Sequence, residues 1–380
     1  MQWNIQEIPV KELSTGEVLS IKTYTLKGNK PGPHVHIQAS VHGAEIQGNA
    51  VILKLMEKLK GLELTGSLTL IPLANPYATL NKHGTYTYGR YNPVTGHNWN
   101  RNYIDIIKTC KINLEDFVNQ HLNSPLELII SEYKSFIKNA LDLYTSSLAS
   151  SNTLQDNNRI NLILQGLSVT ADGILDLHTG PTATRYLYAA EYEEKIAHIM
   201  LFKNILVIPN DFDGAMDEAS FMPWIHLKHA FKDKGKDIDF PIESFTLEFG
   251  SEETFQMDRG EKDVQSIINY LRYKKMLSKE SVGEIEKLDQ VFYSKLENYK
   301  TIYSPLGGLV DFHLAPGDHF KKDDLLAVIY QMKKIDPNNP LKSCATEVRA
   351  LGDGIVINRC PSSNVHQGME LFQVMLNVYQ

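Results

Sequence analysis

Two spacings of apolar residues alternate along the first two-thirds of the chain. Residues 34–41 read as a strand, after which Ile52, Leu55, Met56 and Leu59 recur at i, i+3, i+4 and i+7 and predict a helix stopped by Gly61. Residues 67–73 form the next predicted strand, closed by Asn75-Pro76. Further strands are predicted over 172–178, 186–190, 205–208 and 244–249. A helix follows with Asp258 as its cap, Glu261 three residues on, and Val264, Ile267, Ile268 and Leu271 as its apolar face. Strands separated by helices predict an α/β fold built on a central sheet flanked by helices.

Two stretches break this pattern. Residues 111–165 read as a helical insertion: Ser124-Pro125 starts a helix, and Leu126, Ile129, Ile130, Tyr133, Ile137, Ala140, Leu141 and Tyr144 make one stripe. That stripe packs on the main body or meets a partner, and residues 146–158 read as a polar loop. After about residue 300, short apolar runs are cut by Leu306-Gly-Gly, Pro316-Gly-Asp, Gly352-Asp-Gly and His366-Gln-Gly, which predicts a small all-β domain. The expected division is a domain over 1–298 and a small β domain over 299–380, with the charged stretch 274–300 joining them.

Composition narrows the function. With 380 residues, 42% hydrophobic and 22% charged, the chain is long enough to bury a large core. Its net charge of −7 and the absence of a basic stripe argue against nucleic acid as a partner. No run of about 18 apolar residues occurs, so no membrane-spanning helix is expected. Cys110, Cys344 and Cys360 are too few for a disulfide framework and suit a reducing compartment. The first ten residues lack the features of a signal peptide, and the expected location is cytoplasmic.

Four polar groupings stand out against the apolar strands. His42-Gly-Ala-Glu45 lies where a strand gives way to a helix, the place where open α/β sheets put their ligands. Gly43 is expected to let the chain turn so that His42 and Glu45 converge on a metal, although a histidine bonded to a helix-start acid reads equally well. Asp176 and His178 share one face of a strand whose other face carries Leu175 and Leu177; they are a third ligand with a supporting acid, or a buried ion pair. Glu248 ends the strand 244–249 on its polar face, where it is a general base beside a metal or an ordinary strand-end acid. Asn100-Arg101 offers a fork suited to a carboxylate, and Arg90 precedes it by eleven residues. His34-Val-His36 is set aside as the pair of a barrel amidohydrolase, because its strand continues through Gln38 and Ser40. This polar face is expected to be hydrogen-bonded in the interior or to lie at an edge. His83, His97, His121, His226 and His313 are given no role.

Taken in order, His42-Gly-Ala-Glu45, Asn100-Arg101, Asp176-Leu-His178-Thr and Thr246-Leu-Glu248-Phe-Gly resemble the zinc carboxypeptidase superfamily, specifically its succinylglutamate desuccinylase/aspartoacylase branch. The likeness extends over most of residues 30–270. It implies a mixed central sheet of zinc carboxypeptidase type and one Zn²⁺ per chain held by His42, Glu45 and His178. Asp176 supports the metal site, Glu248 is general base and acid, Asn100 and Arg101 hold a substrate carboxylate, and Arg90 polarises the scissile carbonyl. A tyrosine often assists, with Tyr86, Tyr88, Tyr91 and Tyr186 all available. Residues 299–380 resemble a biotinyl/lipoyl carrier fold, but Gly352-Asp-Gly-Ile-Val-Ile-Asn-Arg lacks the lysine a carrier modifies, so a packing or gating role is expected.

The expected function is therefore zinc-dependent amide hydrolysis of a small carboxylate-bearing molecule, an N-acyl amino acid. A metallocarboxypeptidase acting on peptides is the neighbouring alternative, and a non-catalytic binding protein on the same fold is the remoter one. The expected partner is that small-molecule amide, with no nucleic acid or membrane, and a homo-oligomer is compatible with the sequence.

Overall fold

The computed structural model describes residues 2–151 and 153–380. Nine strands form one mixed sheet in the order Trp3–Glu12, Val18–Lys27, Thr65–Ile71, Lys30–Ala39, Gly173–Gly180, Glu243–Ser251, Arg185–Ala190, Asn204–Ile208 and Phe292–Lys295. The middle three, Lys30–Ala39, Gly173–Gly180 and Glu243–Ser251, run parallel, and Arg185–Ala190 joins them antiparallel. Helices Gln47–Lys58 and Met257–Tyr273 cover one face. There Val35, Ile37, Leu175, Leu177, Leu187, Phe245 and Leu247 meet Ile52, Leu55, Val264, Ile267 and Leu271 in one buried cluster. Glu261 is tied to Lys54 and Lys58 of the neighbouring helix at 3.3 and 2.8 Å. Asp258 does not cap its helix: it lies in the first turn, and the cap position falls to Gln256.

The insertion forms helices Leu126–Ser150 and Asp156–Ser168, and its stripe is packed inward. Ile129, Tyr133, Ile137 and Leu141 are buried with Trp224 and Phe231 of helix Met216–Asp233, so the stripe faces the body of this chain. The expected loop over 146–158 is largely helix. Tyr144 and Leu148 pack on this cluster, while Ser147 and Ser150 return their hydroxyls to carbonyls three residues back at 2.7 and 2.9 Å.

Part of the joining stretch is also regular: Phe292–Lys295 is an edge strand of the large sheet. From Tyr299 onward the strands form two smaller sheets around Val310, Phe320, Leu326, Ile329, Val356 and Phe372. They are interrupted by short helices at Met332–Lys334 and Pro340–Cys344, and Thr182–Ala183 from the first part of the chain pairs with Gly354–Arg359. Among the described residues the three cysteines are free thiols, and no helix is long and apolar enough to cross a membrane.

Candidate metal and hydrolysis site

The site grows from strand register. On the face away from the covering helices, Asp176 and His178 lie beside Thr246 and Glu248 of the next strand, which in turn face Tyr188 and Tyr186 of the one after. Gln38 extends the first of these rows on the other side, next to Asp176. Two polar rows thus cross the sheet. One runs Gln38, Asp176, Thr246, Tyr188; the other runs His178, Glu248, Tyr186. Parity alone puts these side chains on one face and the leucines on the other.

His42 and Glu45 reach the same point from the loop between strand Lys30–Ala39 and helix Gln47–Lys58. The sharp turn expected of Gly43 is made by Ser40, whose φ is 60° and whose hydroxyl bonds Asn49 at 2.7 Å. Gly43 serves close approach instead. A Cβ there would fall 2.2 Å from the Ala78 carbonyl oxygen, and one on Gly89 would fall 2.4 Å from Gly43 Cα. The loop is wedged against two backbones.

His42, Glu45 and His178 are all buried, with ligand-capable atoms within 4.8 Å of one another, and this is the only such group found among the described residues. His42 Nδ1 and His178 Nδ1 lie 2.8 and 2.7 Å from the two Glu45 oxygens. Their Nε2 atoms are engaged elsewhere. Asn98 Oδ1 accepts from the Asn100 amide at 2.8 Å, so the nitrogen facing it at 2.8 Å, His42 Nε2, must donate. His178 Nε2 donates to Asp176 Oδ2 at 2.9 Å, a stronger contact than the 3.4 Å approach of Asn100 Nδ2. In neutral rings both Nδ1 lone pairs then point at carboxylate oxygens, an arrangement that requires a cation or a proton between them. The electrostatics agree at His178 but not at His42, where burial outweighs the pull of Glu45 and lowers the pKa. Burial opposes charge on His178, but Asp176 and Glu45 outweigh it and hold its pKa well above the ordinary histidine value. These residues fit a metal ion, with imidazoles oriented by a carboxylate and an amide behind them.

Glu248 stands next to His178 with Oε2 buried and, among the described residues, without a partner. Burial, reinforced by Glu45, raises its carboxyl to about 8 against the pull of His178 and Arg90. Arg90 Nη1 donates to Glu45 Oε1 at 3.0 Å. Asn100 uses its carbonyl on the Met216 amide at 3.2 Å. Arg101 bonds the Asn100 carbonyl at 2.7 Å and lies 3.6 Å from the largely exposed Asp213. His42, Glu45, Arg90, Asn100, Arg101, His178 and Glu248 line one cavity of about 530 Å³, and Asp176 does not.

Every site residue named from the sequence is therefore drawn to one place. Several members of the site carry no signal that singles them out in the sequence. Asn98 stands in an Asn-rich stretch, although its spacing from Asn100 is that of a side chain bonding a backbone two residues on. Tyr188, Leu296 and Tyr299 line the cavity too, and Asp217 beneath it accepts from Thr246 at 2.9 Å. Of the four candidate tyrosines, only Tyr186 is buried beside Glu248; Tyr86, Tyr88 and Tyr91 are exposed.

Residues 31–274 match the succinylglutamate desuccinylase/aspartoacylase catalytic domain. The chain belongs to this family. A succinylglutamate desuccinylase/aspartoacylase family protein from Shewanella amazonensis is 34% identical over 99% of both chains, with a TM-score of 0.91. A protein of the same designation from Shewanella frigidimarina is 32% identical, covering 99% of this chain and 98% of its own, also at 0.91. The product-bound ectoine utilization protein of Ruegeria pomeroyi shares the fold at 17% identity, 99% and 95% coverage and a TM-score of 0.64. The central mixed sheet and its helices are thus those of the desuccinylase/aspartoacylase family. No curated protein matches the chain.

Proposed function

We propose that this family member is a zinc-dependent hydrolase that cleaves the amide bond of a small carboxylate-bearing substrate, an N-acyl amino acid. The observation that carries this reading is the convergence, in one cavity, of the His42–Glu45–His178 group with a buried carboxylate, Glu248, whose Oε2 has no partner among the described residues. His42 and His178 would hold the zinc through Nδ1, together with the Glu45 carboxylate. A zinc so held supplies an activated water near neutral pH and polarises the amide carbonyl.

The chain's own residues do the rest. Glu248 takes the proton of the attacking water on Oε2 and passes it to the departing amine. Arg90, fixed by Glu45, places positive charge where the carbonyl oxygen gains negative charge. Arg101 binds the substrate carboxylate; its hold on exposed Asp213 is weak enough to be exchanged. Asn100, engaged at Met216 and near His178, aligns the arginine more than it contacts substrate.

We read residues 1–298 as the catalytic domain and 299–380 as a β module that narrows the entrance, supported by Tyr299 in the cavity wall. A cytoplasmic location is supported by the three free thiols. The test joins metal analysis to a hydrolysis screen of N-acyl amino acids and peptides of graded length. One zinc per chain and preference for the acyl amino acid are expected. Full activity after exhaustive chelation, or kcat/KM rising with peptide length, would overturn the reading.

A further inference from the structure

The strand leading into the metal loop carries His36 and Gln38 on its polar face, both fully buried. The strand is interior to the sheet, so an edge position does not account for them. Their hydrogen bonds do. Gln38 Nε2 donates to Asp176 Oδ1 at 3.1 Å, and His36 Nε2 lies 3.2 Å from Gln38 Oε1. Asp176 in turn accepts from His178 Nε2 through its other oxygen.

Only one assignment of protons satisfies this chain. A carboxylate can only accept, so the Gln38 amide must turn its NH₂ towards Asp176 and its oxygen towards His36. His36 must then carry its proton on Nε2. Burial keeps that ring neutral, with its pKa lowered to about 4, and its Nδ1 has no partner among the described residues. Asp176, bonded at one oxygen by Gln38, keeps the other for the Nε2–H of His178. That selects the His178 tautomer whose Nδ1 lone pair faces Glu45.

We infer that Gln38 and His36 are positioning residues of the metal centre, acting through Asp176 to fix the orientation and tautomer of His178. The inference rests on the zinc reading above. His42 is oriented by a separate support, Asn98, which shares none of these bonds. The two ligands are therefore set by two independent arms.

The test is the zinc dissociation constant of the metal-free full chain, measured by competition with a chromophoric chelator. It is applied to wild type, Gln38→Met, His36→Leu, their double variant, Asn98→Ala and the Gln38→Met/Asn98→Ala double variant, with near-UV circular dichroism confirming the fold. Gln38→Met is expected to weaken zinc binding by about tenfold, the lower end of what loss of a group orienting a ligating histidine does. His36→Leu should weaken it less, and the double variant no more than Gln38→Met alone. Asn98→Ala should multiply with Gln38→Met. If Gln38→Met does not fold, Gln38→Asn, whose amide falls short of Asp176, carries the same expectation. A folded Gln38 variant with affinity within about twofold of wild type would overturn the relay, as would effects of Gln38 and His36 that multiply. A wild type that takes up no zinc would remove the zinc reading and the relay together. A wild type that binds zinc beside an unaffected Gln38 variant sinks the relay alone.

Discussion

The two faces of strands Lys30–Ala39, Gly173–Gly180 and Glu243–Ser251 are one residue apart along the chain and chemically opposed. On one side Ile37, Leu175, Leu177, Phe245 and Leu247 touch only carbon-rich neighbours from two helices. On the other, Gln38, Asp176, His178, Thr246 and Glu248 are also buried, and the side-chain polar atoms of the first four are committed to named partners. The apolar face is held by a non-directional force that tolerates repacking. The polar face is held by direction, and a lost partner leaves a buried charge exposed to the full cost of its desolvation. The difference teaches that this sheet separates its two tasks by parity: stability on one side, chemistry on the other.

The sharpest way to break that separation is at Glu248, whose buried Oε2 has no partner among the described residues. Glu248→Gln is expected to keep zinc and melting temperature while losing roughly 10²–10⁴-fold in kcat. Loss of zinc in metal analysis would make Glu248 a ligand instead. The apolar face should give the mirror result. Leu177→Ala, one residue before His178, is expected to cost roughly 2–5 kcal/mol in denaturant unfolding. Its zinc affinity and its activity in the folded state should be unchanged; a fall in zinc affinity would show that the faces are coupled.

The smallest effect concerns pH. His36 is neutral when folded, with a pKa of about 4 against 6.5 for an ordinary histidine. The unfolded chain therefore binds the extra proton first. The stability this group confers is complete above pH 6.5 and is lost as pH falls towards 4. In metal-free protein, wild type should lose ~2 kcal/mol more than His36→Leu between pH 6.5 and 4.5 in urea titrations. Equal losses would mean that the histidine is not kept neutral by the fold.

Much of this is legible in the sequence, for a physical reason. Side-chain parity is a property of single strands, so the order of residues alone assigns Asp176 and His178 to one face and Leu175 and Leu177 to the other. Chain-local motifs such as His42-Gly-Ala-Glu45 carry their convergence within four residues. Register is not local. That Gln38 sits beside Asp176, and Tyr188 across from Thr246, depends on how separate strands align, and no periodicity within either strand encodes it. The same holds for Tyr299, which reaches the cavity from a sheet formed much later in the chain. Gly43 invites a turn that Ser40 makes instead, because tight packing against Ala78 and Gly89 is a tertiary demand. The serines after Tyr144 read as loop because their propensity is indifferent, and packing by Leu148 decides the matter.

The wall that Tyr299 contributes has a history in time as well as a place in space. Its hydroxyl is held by Asn358 at 2.7 Å and by Gln373 at 2.9 Å, and Asn358 also reaches Tyr186 at 3.4 Å. A ribosome delivers these partners after every residue of the candidate site. The nascent chain thus assembles the His42–Glu45–His178 group while one side of the chamber is still unbuilt, since domains fold as they emerge. The shape of the chamber is in this sense acquired late: a chain interrupted before Asn358 would carry the candidate site without the finished room around it.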